Sequence, residues 1–173
     1  MKVVREITYI EPGPESTEAL FEAVVERMKK SDINSVVVAS IKGKTALKLA
    51  EALKGSENVI SVTEFTYDDD VKKRMKKLGV IAIERVDLPI QDRCGMRDAL
   101  TFFGDGVKAA LEVASIVSEK EAAPPSKVIA LAGGRGGLDT ALVVRLAPPS
   151  DFSSPDPDRR MLVQEIIAMP LRE

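Results

Sequence analysis

The stretch Val36 to Ala50, VVVASIKGKTALKLA, decides the fold. Three β-branched residues in a row, Val36 to Val38, predict a strand buried on both faces of a parallel sheet. A short polar turn, Ser40 to Thr45, follows and contains Gly43. Ala46, Leu47, Leu49, Ala50 and Leu53 then recur at helical spacing. Strand, tight turn and helix in that order aim the unpaired N–H groups and the positive dipole end of the helix at the turn, a place that suits a phosphate. Lys42 and Lys44 add positive charge, Ser40 and Thr45 add hydroxyls, and Gly43 lets the backbone approach closely. The GxxxxGK[ST] spacing is absent, so this is not a P-loop. An ordinary βα turn with Thr45 as helix cap is the other reading, and the stretch alone leaves both open.

Working outward, Val3 to Ile10 reads as a first strand, ended by Pro12-Gly13-Pro14. A helix opens after Glu15, with Ser16 or Thr17 as its N-cap and Leu20, Phe21, Val24, Val25 and Met28 as its apolar stripe. Asn58 to Thr63 is the third strand. Asp68-Asp69-Asp70 opens the next helix, acid at its start and base toward its end, which complements the helix dipole. Consecutive helical residues point in different directions, so this triplet makes a poor metal cage and reads as capping. Val80 to Glu84 is a fourth strand, and Arg85 to Gly106 is unreadable except as a candidate lid or wall. Gly106 to Val117 is helical, with Val107, Ala110, Leu111, Ala114 and Val117 on one side. Lys127 to Ala132 and Thr140 to Ala147 are strands flanking Gly133-Gly134-Arg135-Gly136-Gly137, and LVQEIIAMP is the last strand.

Strands alternate with helices over the first two-thirds and then follow one another. This order predicts one domain, residues 1–173, built as a three-layer α/β/α sandwich on a mostly parallel sheet with antiparallel edge strands. Ligands of such sheets lie beyond the carboxyl ends of the strands. The turns after Ala39, Thr63 and Ala132 should therefore share one rim. There the glycines beside Arg135 would present backbone N–H groups and a guanidinium to an anion. A flexible hairpin loop is the plain alternative for GGRGG.

Composition narrows the chemistry. The chain has no histidine, which removes His-based acid–base chemistry, serine triads and most zinc sites. Cys94 is the single cysteine, so no internal disulfide forms and a reducing cytoplasm is the expected home. A net charge of −2 argues against nucleic acid as a partner. No apolar run approaches the roughly 20 residues that span a bilayer, and no signal-peptide core follows Met1. Charged residues at 30% with only Asn34, Asn58, Gln91 and Gln164 as side-chain amides lean toward a thermophile source.

At two segments the chain resembles the C-terminal α/β domain of pyruvate kinase. In that family a strand runs into a Thr/Ser-x-x-Gly-x-Ser/Thr loop and a helix, matched here by Ser40, Gly43 and Thr45 in VVVASIKGKTA. Later a strand ends in a glycine-rich loop with an arginine before a threonine-bearing strand, matched by Arg135 and Thr140 in VIALAGGRGGLDTALVVRLA. In pyruvate kinases that respond to fructose 1,6-bisphosphate these loops hold the sugar phosphate. The likeness follows the element order from about Glu18 to Ala147. The catalytic barrel has no counterpart in these 173 residues, so the resemblance implies no pyruvate kinase activity. EPGPEST and QEIIAMP are similar to segments of a small stand-alone archaeal and bacterial family with this domain, associated with bound flavin mononucleotide (FMN) and with no established reaction.

The resemblance thus implies an FMN site. Ser40, Gly43, Lys44 and Thr45 would hold the phosphate, with Lys42 in support. Asp139 and Thr140 would bond ribityl hydroxyls, and Thr63 would line the neighbouring strand end. Gly133, Gly134, Gly136 and Gly137 would admit the ligand, with Arg135 at its phosphate or ring edge. Phe102 and Phe103 would pack on the ring or, on the plainer reading, fill the core. Cys94 lies between Arg93 and Gly95, near positive charge that would lower its pKa, although a lone thiol is ordinarily inert.

Three functions compete. The leading one is a cytoplasmic protein that binds a phosphorylated small molecule, FMN or a sugar phosphate. The second is a flavin-dependent oxidoreductase or a phosphoester-handling enzyme, for which no catalytic residue stands out. The third is a ligand-regulated oligomerisation module, a homo-oligomer being what the resemblance and common symmetry both imply. Gly43→Val should abolish ligand binding without unfolding the domain.

Overall fold

The computed structural model describes every residue except Met1, Val3, Ser56, Pro125, Arg135 and Glu173. The valine run forms strand β2 (Ser35–Ala39), in which Ser35 to Val38 are all buried. Its partners are parallel strands on both sides: β3 (Asn58–Val62), in register from Ser35 against Asn58, and β5 (Lys127–Gly134), with Val36 opposite Ile129. A strand hydrogen-bonded on both edges and covered on both faces has no solvent-facing side, which is why Val36 to Val38 do not alternate with polar residues.

The seven-stranded sheet has the order β1-β7-β6-β5-β2-β3-β4. β1 (Thr8–Ile10) pairs parallel with β7 (Leu162–Pro170), and β4 (Ile81–Ile83) pairs parallel with β3. β6 (Gly137–Arg145) runs against both β5 and β7. The described part of the first strand is therefore shorter than the stretch its sequence suggests.

Helices cover both faces. Helix α1 (Ser16–Met28), α2 (Lys44–Ala52) and α3 (Asp69–Lys77) share one apolar cluster with Val36 and Val38 of β2. Helix α5 (Asp105–Glu119) shares the other with Val37, Ile60 and Ala130, and α4 (Cys94–Thr101) adds Met96 and Leu100 to it. The segment that resisted reading, Arg85 to Gly106, thus contains α4 and forms part of the α5 layer. The result is the expected three-layer α/β/α arrangement on a mostly parallel sheet.

Capping differs from expectation. Glu15 holds the N-cap position of α1 without a side-chain bond. The hydroxyls of Ser16 and Thr17 turn instead to the β5–β6 hairpin: Ser16 Oγ donates to Gly136 O at 3.5 Å and Thr17 Oγ1 accepts from Leu138 N at 3.0 Å. Asp68 stands at the N-cap of α3 with Asp69 and Asp70 in its first turn, but no side chain caps it, so these acids act on the dipole alone. Phe102 and Phe103 are 87% and 56% exposed, so neither fills the core.

At the sheet end away from the β2–α2 turn, Arg27 is buried and ties α1 to β7. Its Nε donates to Glu165 at 2.8 Å and its Nη1 to Asp32 at 2.7 Å, while Lys127 reaches Asp32 at 2.8 Å. Among the described residues no helix is long and apolar enough to cross a membrane.

Candidate functional site

Sheet order locates the site. From β2 the chain steps outward through α2 to β3 and through α3 to β4, then returns by α5 to β5 on the other side of β2. The order reverses between β2 and β5, with α2 over one face and α5 over the other. Such a reversal opens a crevice beyond the carboxyl ends of the strands. A cavity of about 550 Å³ lies there, lined by the β2–α2 turn, the β3 end and the β5–β6 hairpin. The three turns expected on one rim do share it.

Of the residues singled out in sequence, Ser40, Lys42, Lys44, Thr45, Thr63, Gly133, Gly134 and Gly137 line this cavity. Asp139 and Gly136 line a second cavity of about 220 Å³ instead, beside Asp105 and Arg172. Thr140 is buried, and its hydroxyl donates to Asp139 Oδ1 at 2.8 Å. A bulge at Ala132/Gly133 explains the split. Ala132 faces Thr140 and Gly133 faces Leu138, which leaves Asp139 as the extra residue and turns it away. Neither Asp139 nor Thr140 lines the cavity that holds the β2–α2 turn. Arg135 lies outside the described residues. Phe102 and Phe103 do not line it either.

The β2–α2 turn leaves a run of its amides without partners among the described residues. Gly43, not Thr45, occupies the N-cap of α2, with φ of 76°, and no side chain bonds the helix start. The alternative in which Thr45 caps this helix is thereby overturned. Among the described residues, the amides of Ile41, Lys42, Gly43, Lys44 and Thr45 donate to no other group of the chain. Ser40 is different, because its N–H donates to Val62 O at 3.1 Å. Lys42 and Lys44 of the same loop are exposed and line the cavity.

Gly43 has another reason to be glycine. It is absent from the cavity wall, and a Cβ there would come within 2.6 Å of both Met75 and Val71 side-chain carbons. The residue lets α2 start against α3 in a left-handed conformation, which is a packing requirement. Gly133 is similar, since a Cβ would stand 1.9 Å from Gly137 O across the hairpin.

Tyr67 fixes the turn from beneath. It is 2% exposed, its hydroxyl donates to Ser40 O at 3.0 Å, and Ser61 Oγ lies 2.6 Å from the Tyr67 hydroxyl oxygen. Burial pushes this phenol up to about 12, so it keeps its proton at neutral pH. Thr63 closes the adjoining corner, donating to Ile41 O at 3.3 Å and accepting from Phe65 N at 3.2 Å.

Sequence reading missed the rest of the wall. Val62, Val86, Leu88, Val113 and Leu138 give it an apolar lining, and Ile41 and Phe65 stand exposed at the mouth. Glu112 of α5 also lines the cavity although it is only 1% exposed. Its Oε1 accepts from Ile90 N at 3.2 Å, and Lys108 Nζ lies 3.8 Å from Oε2. Burial raises its pKa, Lys108 opposes that, and Glu64 on the same wall adds to it. The signal was present: one carboxylate inside the apolar run ALEVASIV is out of place unless it is used.

Among the described residues no cluster of three or more carboxylate or cysteine groups is placed to hold a metal ion. Comparison with models of known protein families finds no match.

Proposed function

We propose that the protein binds a phosphorylated small molecule in the crevice between β2 and β5, with FMN as the ligand. The observation that carries this reading is the β2–α2 turn, whose amides from Ile41 to Thr45 have no partner in the described chain while Lys42 and Lys44 line the same cavity. Free N–H groups at a helix start, backed by two ammonium groups, suit a phosphate dianion.

The remaining wall fits a large, partly apolar body. A volume near 550 Å³ falls within the roughly 300–1,000 Å³ of small-molecule sites. Val62, Val86, Leu88, Val113 and Leu138 give its interior an apolar lining, and Phe65 and Ile41 add exposed apolar surface. Lys42, Lys44 and the turn amides would hold the phosphate. Ser40 and Thr45 stand beside it, and Thr17 and Glu112 are polar groups available to the body. When bound, a flavin supplies one- and two-electron redox chemistry. The chain's own part is to seat, orient and desolvate it.

The test is the absorbance of the purified protein and of the supernatant after denaturation. A flavin band that is released on unfolding, and that Lys44→Ala removes from the purified protein without loss of fold, is the expected outcome. A colourless protein that takes up neither FMN nor inorganic phosphate would overturn the proposal.

A further inference from the structure

The cavity is electrically lopsided. Lys42, Lys44 and the free amides come from the α2 side of the sheet, whereas Glu64 comes from the end of β3 and Glu112 from α5 on the opposite face. Glu112 is the unusual member. Burying a carboxylate is costly unless its oxygens are satisfied. Here Oε1 has the Ile90 N–H, while Oε2 has the Lys108 ammonium only at 3.8 Å and the carboxylate has one further backbone contact, from Gln91. A carboxylate oxygen holds more than one lone-pair site, so on a cavity wall it can still accept from a donor that enters the cavity.

We infer that Glu112 is the specificity residue of this site, accepting a hydrogen bond from an N–H or O–H on the body of a ligand whose phosphate lies at the Lys44 loop. The ligand class is therefore a phosphomonoester with a donor-bearing body. Sugar bisphosphates are excluded, because their second phosphate would meet Glu112 and Glu64 inside the same cavity. This inference rests on the phosphate reading of the β2–α2 turn and adds to it a rule for the other end of the ligand. Burial raises the pKa of Glu112, as expected of a carboxyl set within the cavity wall.

Calorimetric titration of ligand-stripped protein separates the two ideas. The probes are inorganic phosphate, FMN and fructose 1,6-bisphosphate, and the variants are Lys44→Ala, Glu112→Met and Glu112→Gln. Glu112→Met should bind inorganic phosphate like the wild type and lose about tenfold in FMN affinity, about 1.4 kcal/mol. Glu112→Gln keeps an acceptor and removes the charge. It should bind the bisphosphate more tightly than the wild type does. Unchanged FMN affinity in Glu112→Met would overturn the inference, as would wild-type protein that prefers the bisphosphate. Should Glu112→Met fail to fold, bisphosphate affinity in Glu112→Gln that does not rise above wild type decides against it. If inorganic phosphate binds Lys44→Ala as well as wild type, the phosphate reading itself has failed and the inference falls with it.

Discussion

The hydroxyl of Tyr67 donates to the carbonyl oxygen of Ser40 at 3.0 Å, joining the β3–α3 connection to the first residue of the β2–α2 turn. That bond fixes the turn at a carbonyl, while the amides from Ile41 to Thr45 have no partner among the described residues. Ser61 Oγ, 2.6 Å from the same hydroxyl, completes a short buried chain. Tyr67→Phe therefore strands two buried oxygen atoms. Its expected cost is about 1–3 kcal/mol, read as a fall in Tm of several degrees. Inorganic phosphate should bind more weakly too, since the turn loses its anchor. Equal Tm and equal phosphate affinity would show that the chain is dispensable.

Gly43→Val is expected to damage the fold before it damages binding. The residue sits at φ of 76°, and a Cβ would press on Met75, Val71 and Tyr67. A β-branched side chain adds overpacking to backbone strain, together about 2–5 kcal/mol. This reverses the expectation that such a variant unfolds nothing. Denaturant unfolding of Gly43→Val and Gly43→Ala checks it, and a midpoint within error of wild type for the valine variant would refute the packing role.

What was legible follows from where physical constraint is local. The buried valines of β2, the stripe of α1 and the glycines flanking Arg135 each report their own surroundings, so elements and layers could be read. Strand order could not, because nothing in Lys127 to Ala132 says that it lies beside Val36 rather than beside β4. Without that order the crevice between β2 and β5 is invisible, and so is the sharing of one cavity by Lys44 and Glu112. The bulge that separates Asp139 from Leu138 was likewise hidden, since one extra residue in a strand leaves the apolar pattern almost unchanged. Gly43 was legible as a turn and not as a contact with Met75. Arg85 to Gly106 resisted because α4 has no fully buried residue and hence no strong stripe.

The Arg27 network sets a pH dependence. Bonds from Arg27, and then from Lys127, hold the Asp32 carboxyl well below the usual carboxylate range, and Arg27 does the same to Glu165. Groups with depressed folded pKa values give stability that is present above their unfolded values, about 4, and is lost as pH falls through the folded ones. Arg27 itself is raised, so its contribution is complete at every pH below its unfolded value. Arg27→Met leaves Glu165 without its main partner and should cost about 2–4 kcal/mol at neutral pH. It should also flatten the loss of stability below about pH 4. Thermal melts from pH 2 to 8 for both proteins give the test, and parallel curves would rule the network out as the source of the acid sensitivity.

Glu112 pulls the other way. Burial raises its folded pKa, so the unliganded fold is favoured by protonation: its stability is complete below the ordinary glutamate value of about 4.3 and is eroded as pH rises through the folded value. The groups facing it are Lys108 and Glu64, with the Ile90 N–H on Oε1. Glu112→Gln keeps an acceptor for that N–H and removes the charge. It should stabilise the ligand-free protein at pH 7 and leave its stability near pH 4 unchanged. Glu112→Leu also removes the charge but orphans the Ile90 N–H, at a cost of about 1–3 kcal/mol. The ordering in Tm at pH 7 should therefore be Gln above Leu, and the Gln–wild-type gap should close in acid. A gap that persists at low pH would mean that packing, not the charge of a buried carboxylate kept for a ligand, separates the variants.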